Sequence, residues 1–277
     1  MRVFAEQRTE GAPEARLSFR RAGARTVIGA AFATSPLRVL TPRNHGRAAW
    51  AYTSTLGGGM VDGDAIRLRV DVAPGAAAVL ASQGQNRIYR SVRGCRSELA
   101  AEVGEGAFLA LLPDPTVCFA GASYQQKTEL RLAPGAAAIA VDVLASGRSA
   151  RGERWAFRRY EGELSLRSGD RLLIAERLLL DPSHGALAER LGRFDALCTL
   201  LLAGDSLRDE RAALARRIGS LPLRSRADRI EQANDLDGGA LLVRIAAVSL
   251  EDALHAVRDH LRFLPDLLGD DPWARRP

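Results

Sequence analysis

Eight residues, Gly57-Gly58-Gly59-Met60-Val61-Asp62-Gly63-Asp64, gather the most chemically suggestive side chains of this sequence into its shortest stretch. A glycine-dense turn with two carboxylates fits three kinds of chemistry. A nucleotide-phosphate cradle needs a Lys-Ser/Thr pair and a helix N-terminus behind it, whereas here a strand-like run follows and the pair is missing. A cation site is the second reading. Asp62 and Asp64 point the same way if the segment is extended, and oxygen-only ligation suits hard cations or the transient holding of a borderline ion such as nickel. The third is an ordinary turn whose glycines supply positive φ and close backbone approach.

Two more acids stand in apolar surroundings. Asp142 ends the run Ala136 to Val143, and Glu176 lies between Ile174-Ala175 and Leu178-Leu179-Leu180. A carboxylate there is costly unless paired or hydrated. Ion pairs such as Asp142–Arg148 or Glu153–Arg154 would satisfy that demand, and so would a polar interior channel. Asp62, Asp64, Asp114 and Asp142 are also the candidate acids of a carboxylate-dependent hydrolase or lyase on a β scaffold. The sequence has no G-x-S-x-G elbow, H-E-x-x-H helix or C-x-x-C pair. Cys95, Cys118 and Cys198 lie far apart beside apolar residues and read as small buried hydrophobes. His255 and His260, five apart, do not share a helix face.

The elements that position these residues are mostly strands. Ile66, Leu68, Val70 and Val72 alternate with Arg67, Arg69 and Asp71, which is the pattern of a half-buried strand. Pro74-Gly75 then turns the chain into Ala76 to Leu80, as in a hairpin-rich protein. The stretch Val72-Ala73-Pro74-Gly75-Ala76-Ala77-Ala78-Val79 recurs as Leu132-Ala133-Pro134-Gly135-Ala136-Ala137-Ala138-Ile139, with a looser copy at Val103 to Leu109. Each copy follows an alternating run, so the repeat predicts stacked β-layers resembling a β-helix or a repeated sandwich. Further strands are expected in Ala15 to Leu40, at Trp50 to Thr53, around the Gly169-Asp170 turn, at Phe194 to Ala203 and at Leu241 to Val248. Capping-box forms at Ser206 to Asp209 and Ser249 to Asp252 predict two helices in the C-terminal part. The second carries Leu250, Leu254, Val257, Leu261 and Leu264 on one side. No linker cuts the chain, so residues 1–277 read as a single mainly β domain: β-rich over 1–182, mixed α/β over 183–268, with a loose tail at 269–277.

Composition narrows the function classes. The 277 residues are 47% hydrophobic and 26% charged, which are globular values. The net charge of +6 comes from arginine; Lys127 is the only lysine. Basic residues are interleaved with acids along the sequence and aromatic residues make up 5%, which speaks against a nucleic-acid binder. The N-terminal stretch lacks the apolar core of a secretory signal, and no apolar run is long enough to cross a membrane. A cytoplasmic protein is expected.

Taken in order, the motifs GGGMVDGD, SQ-x-x-x-R-x-YRS, LPDPTVCF and DVLASGRSARGERW closely resemble the urease accessory protein UreD (UreH) family. The signature spans about Gly57 to Leu180 and includes Gly57, Gly58, Gly59, Gly63, Tyr89, Arg90, Ser91, Pro113, Gly147, Arg148, Gly152 and Glu153. The resemblance implies a β-rich, helical-barrel-like fold and a maturation chaperone that is not an enzyme. Such a protein docks on the urease apoprotein and recruits UreF and, through it, the GTPase UreG, as a dimer of heterodimers with UreF. It also implies no tightly bound cofactor, nickel in transit through an internal tunnel, and Asp64, Asp142 and Glu176 as the acids along that path. This sequence departs from the family in having Asp62 where glycine is common, Ala81-Ser82 for Thr-Thr, and Asn86-Arg87 for Thr-Lys.

Overall fold

A computed structural model describes residues 14–43, 46–222, 224–236 and 238–274. Residues 1–13 of the N-terminal stretch read for a signal and residues 275–277 of the tail lie outside them.

The strands are β1 (Glu14–Ala22), β2 (Arg25–Phe32), β3 (Leu37–Leu40), β4 (Ala49–Thr55), β5 (Ala65–Val72), β6 (Ala77–Ser82), β7 (Asn86–Ile88), β8 (Cys95–Val103), β9 (Phe108–Leu112), β10 (Thr116–Cys118), β11 (Ser123–Leu132), β12 (Ala137–Ala145), β13 (Arg159–Ser168), β14 (Arg171–Leu180), β15 (Ala196–Ala203), β16 (Arg229–Leu236) and β17 (Ala240–Ala247). The helices are α1 (Leu187–Arg190), α2 (Arg208–Gly219), α3 (Leu250–His260) and α4 (Leu264–Leu268). The fold is thus mainly β, with helices confined to the C-terminal part.

Two mixed sheets result. The first has the order β14-β13-β11-β8-β5-β1-β2, and the second runs β16-β17-β15-β12-β9-β6-β4-β3, with β10 and β7 joined to it at β12. Within the first, β1, β5, β8, β11 and β13 are parallel; within the second, β4, β6, β9 and β12 are. Successive strands of the repeat therefore alternate between sheets. The Pro-Gly turns are corners from one sheet to the other, where the sequence pointed to hairpins. A reversing turn and a corner draw on the same residues, so local composition does not separate them. The Gly169-Asp170 turn does make a hairpin, joining antiparallel β13 and β14.

The three corners stack. Gly75 N donates to Glu105 O at 2.9 Å, and Gly106 N donates to Pro134 O at 3.1 Å. Equivalent residues of the repeat consequently fall into rows. Val70 pairs with Ala101 and Ala101 with Leu130, while Val72, Val103 and Leu132 form the next row. These rows fill the space between the sheets together with Leu109, Ala138 and Leu201 of the second sheet. The outer face of the second sheet buries Ile139, Leu200 and Val243 under Leu214, Ile218, Val257 and Leu261 of the helical part. The outer face of the first sheet carries cross-strand ion pairs such as Arg67–Glu98.

The helix signals differed in outcome. Ser249 Oγ accepts from Asp252 N at 3.0 Å and starts α3. Ser206 instead lies within a 3-10 turn, Asp205–Leu207, and α2 begins without a side-chain cap. The apolar stripe runs past α3, so Leu261 follows that helix and Leu264 opens α4. β16 was not expected because RIEQANDL has no apolar face. In the segment expected as a loose tail, Pro272 is buried, and Trp273 lies under the Arg258 guanidinium and packs against the helical core.

Candidate functional site

Along the parallel strands the inward-facing rows change character. After Val72/Val103/Leu132 and Val70/Ala101/Leu130 comes Leu68/Leu99/Thr128, and then Ile66/Ser97/Gln126. On the facing sheet the inward positions run Ala138, Ala140, Asp142. Both progressions come from carrying the period-two pattern past its apolar part. Between these polar ends lies an inter-sheet cavity of about 340 Å³, lined among others by Asn86, Ser97, Tyr124, Gln126 and Asp142. Thr53 to Thr55 and Ser82 to Gln85 also border it.

Asp142 lines the cavity together with three other partly buried acids, Glu98, Asp114 and Glu163. The Oδ2 of Asp142 accepts from Gln126 Nε2 at 2.7 Å and from Tyr160 OH at 3.5 Å. Burial raises its pKa above the ordinary carboxylate value, against the lowering effect of those two donors. Beside it, Tyr124 OH lies 2.6 Å from Ser97 Oγ and receives Asn86 Nδ2 at 3.2 Å, and burial pushes both tyrosine hydroxyls upward. The outcome is a small polar network in an otherwise apolar interior. It can present one carboxylate oxygen, an amide and several hydroxyls to a small polar guest. Among the described residues no three His, Cys, Asp or Glu side chains converge as a metal-binding cluster.

The other sequence-derived acids lie elsewhere. Asp64 closes the glycine turn on itself, its Oδ2 accepting from Val61 N at 2.8 Å. Asp62 accepts from Arg93 N at 2.7 Å, Gly94 N at 3.1 Å and Arg93 Nε at 3.3 Å. Partial burial opposes its ionisation, but the donors of Arg93 and Gly94 prevail and its pKa falls. Asp114 accepts from Gly84 N at 2.9 Å and Ser82 Oγ at 3.2 Å, tying down the loop at the cavity mouth. Glu176 faces the inter-sheet space but is held by Arg244 of the second sheet, with Nε to Oε1 at 2.8 Å. Arg244 pairs in register with Thr199, and Thr199 with Asp142, so Glu176's partner stands two strands along the row from Asp142, about 10 Å by strand spacing. Of Asp64, Asp142 and Glu176, only Asp142 lines the cavity.

The ion pairs are rearranged relative to expectation. Arg148 pairs with Glu153, Nε to Oε2 at 2.8 Å, and Arg154 pairs with Asp195; Asp142 has neither arginine. Glu153 also accepts from Ala120 N at 3.1 Å, and the hydrogen bond from Arg148 is the main reason its pKa is lowered. Arg148 stacks over Phe119, which meets Tyr89 edge to face. Ser91 Oγ accepts from Ser123 N at 2.9 Å. A side chain on Gly147 would come 2.6 Å from Glu153 O at a φ of +123°, and one on Gly59 would come 2.5 Å from Arg87 O. The motif residues thus lock together the loops at one end of the sheets.

With this geometry in place, comparison with known proteins is decisive. The model of the UreD urease accessory protein family matches residues 11–276. This chain belongs to the UreD family. A urease accessory protein UreD of Sorangium cellulosum is 46% identical over 260 residues, covering 94% of this chain and 83% of that one. Its counterpart in Anaeromyxobacter is 38% identical over 264 residues, covering 95% and 89%. Urease accessory protein D of rice (Oryza sativa subsp. indica) is 32% identical, covering 90% and 91%. Family members are thus urease accessory proteins, and the motifs that announced the UreD family here are mainly the ones that lock its loops.

Sequence reading passed over Gln126, Tyr124, Ser97 and Tyr160 as site residues. The signal was available: Tyr124 and Gln126 continue the inward parity of Thr128, Leu130 and Leu132, so a polar residue at that phase marks a polar interior.

Proposed function

We propose that this UreD-family chain is a urease maturation chaperone without chemistry of its own. It docks on the urease apoprotein, recruits UreF and through it UreG, and helps deliver nickel by way of the inter-sheet cavity. Membership of the family across residues 11–276 supports the role in urease maturation, and the polar cavity around Asp142 supports a path for a small cation. Nickel is cargo in this reading. A conduit must hold its ion weakly enough to release it, and a single carboxylate oxygen with neutral neighbours meets that requirement better than a cluster. Asp142 is the residue the path rests on. Asp64 and Glu176 would contribute only when Val61 N and Arg244 release them. The parallel, alternating strands fit a β-helix-like coil whose interior runs between the sheets. The protein acts in the cytoplasm, as a heterodimer with UreF that pairs with a second such heterodimer.

A carboxylate-dependent hydrolase or lyase is the competing reading. It has less support, because Asp62 is engaged by Arg93 and Gly94, Asp64 by the glycine turn and Asp114 by the Ser82–Gly84 loop. The deciding experiment is purification of the tagged chain from its native host. Recovery of urease subunits together with UreF is the expected result; recovery of neither, with turnover by the isolated chain, would replace this reading with the hydrolytic one.

A further inference from the structure

Along the sequence the arginines look evenly mixed with acids. The fold separates them. Four loops meet at the end of the sheets beside the glycine turn: 59–64, 89–94, 119–122 and 147–158. Ser91 N donates to Gly121 O at 3.2 Å, Gly121 N to Ala156 O at 3.0 Å, and Arg93 N to Asp62 Oδ1 at 2.7 Å. Three carboxylates at this end already have arginine partners, Asp62 with Arg93, Glu153 with Arg148 and Asp195 with Arg154, while Asp64 accepts from Val61 N within the glycine turn. Arg90, Arg151 and Arg158 are exposed and make no salt bridge among the described residues. Arg90 lies along Gly121, its Cγ 3.2 Å from the point a side chain there would occupy, and Arg158 Nη1 donates to Val92 O at 3.4 Å. Two apolar side chains share the surface, Val92 at 75% exposure and Val61 at 55%.

We propose that this end is a docking face for the carboxylate-rich surface of a protein partner. Exposed apolar residues bordered by arginines match the make-up of protein interfaces, where arginine is enriched because its weakly hydrated, planar group binds carboxylates in bidentate fashion. Arginines at this end outnumber the local carboxylates by two even with Asp64 counted, so the surface is complementary to one that brings acids of its own. The local aromatic rings are not free to stack on bases, since Tyr89 and Phe119 pack on each other and under Arg148. The loops are held by the motif contacts described above, so the surface is preformed.

The inference rests on the functional reading, which supplies the partners to test: the host's purified urease apoprotein and its UreF. The whole chain carrying Arg90→Glu, Arg151→Glu and Arg158→Glu is compared with wild type by interferometry at low and moderate salt. A second variant, Arg25→Glu, Arg38→Glu and Arg216→Glu, makes the same change in net charge at exposed positions elsewhere. The expected result is a loss of about tenfold or more in affinity for one of the two partners in the first variant alone, with a weaker salt dependence and unchanged thermal unfolding. Unchanged binding, or equal loss in both variants, overturns the docking face while leaving the functional reading standing. Tighter binding of a DNA or RNA duplex than of either protein, lost in the first variant, overturns it in favour of nucleic acid. Failure of the wild-type chain to bind either partner overturns both.

Discussion

Glu176 on β14 and Arg244 on β17 join the two sheets through a bidentate carboxylate–guanidinium contact, Nε to Oε1 at 2.8 Å with Nη2 on the second oxygen. β14 is an outermost strand of its sheet, while β17 lies one strand in from the other's margin, so this side-chain contact reaches across from one sheet to the other. Arg244 is 41% exposed and solvent weakens the attraction, so the pair contributes about 1 kcal/mol. Glu176→Gln and Arg244→Met are each expected to lower urea-unfolding stability by about that amount. The double variant should lose little more than either single one, because each change removes the same contact. Additive losses would show that the two residues act independently.

Asp142→Ala removes the cavity-lining carboxylate held by Gln126 and Tyr160. Nickel bound by urease produced alongside this variant should fall by about tenfold, with the accessory complex still assembling in gel filtration. Metal analysis of the purified urease is the measurement. Full nickel loading would remove Asp142 from the path and leave family membership untouched.

Gly147 needs both its left-handed φ and its missing side chain, because any Cβ would press on Glu153 O. Gly147→Ala should cost about 1–3 kcal/mol from the backbone conformation alone, with the close approach adding to it. It should also loosen the Arg148–Glu153 contact. Gly152→Ala, at a φ of +72° in the left-handed helical region and with open space around it, should cost less on both counts. Comparison of the two thermal midpoints is the measurement, and equal losses would show that neither the φ of Gly147 nor its crowding matters.

Behind the second sheet, Glu231 of β16 sits 2.6 Å from His260 Nε2 of α3, and Arg217 of α2 donates to Nδ1 of the same ring. Arginine has no acceptor, so Nδ1 accepts and Nε2 carries the proton given to Glu231. Burial raises the Glu231 pKa, but hydrogen bonding from His260 and contact with Arg229 outweigh it and the net shift is downward. A depressed acid stabilises the fold above its ordinary value of 4.5 and loses that contribution as pH falls through the lower, folded-state value. Stability of the wild-type chain should therefore drop more steeply below pH 4.5 than that of Glu231→Gln, as followed by chemical unfolding across pH. Parallel curves would show that the carboxylate contributes nothing.

Much of this structure could be read from the residues, and the failures share a cause. The alternating run at Ile66 to Val72 and the echo at Leu132 to Ile139 encode facing, and facing is local. Which strand lies next to which is not. A Pro-Gly corner between sheets and a Pro-Gly hairpin look alike until the partner strand is known, so the echo predicted layers but misread the turn. Asp142 stood out because a carboxylate in an apolar strand must be answered by something. Its answer came from Gln126 and Tyr160, which lie 16 and 18 residues away along the chain and are brought close only by the stacking of β11, β12 and β13. Charge followed the same rule. Arg90, Arg151 and Arg158 each sit in a mixed neighbourhood of sequence, and become a cluster only when the loops that carry them are brought together.

The stacked corners bear on how the chain ends its own growth. A row of parallel strands joined by identical turns is a template with no intrinsic length, since every layer offers the next the same ladder of backbone donors and acceptors. Here the first sheet changes direction at both margins, with β2 antiparallel to β1 and β14 antiparallel to β13. The second does so at β3 and at β15. Those reversals are the terminators of the pattern. Excising residues 169–180 would expose the edge of β13, which is parallel and in phase with the repeat, and would turn a protein of fixed size into a seed for fibres.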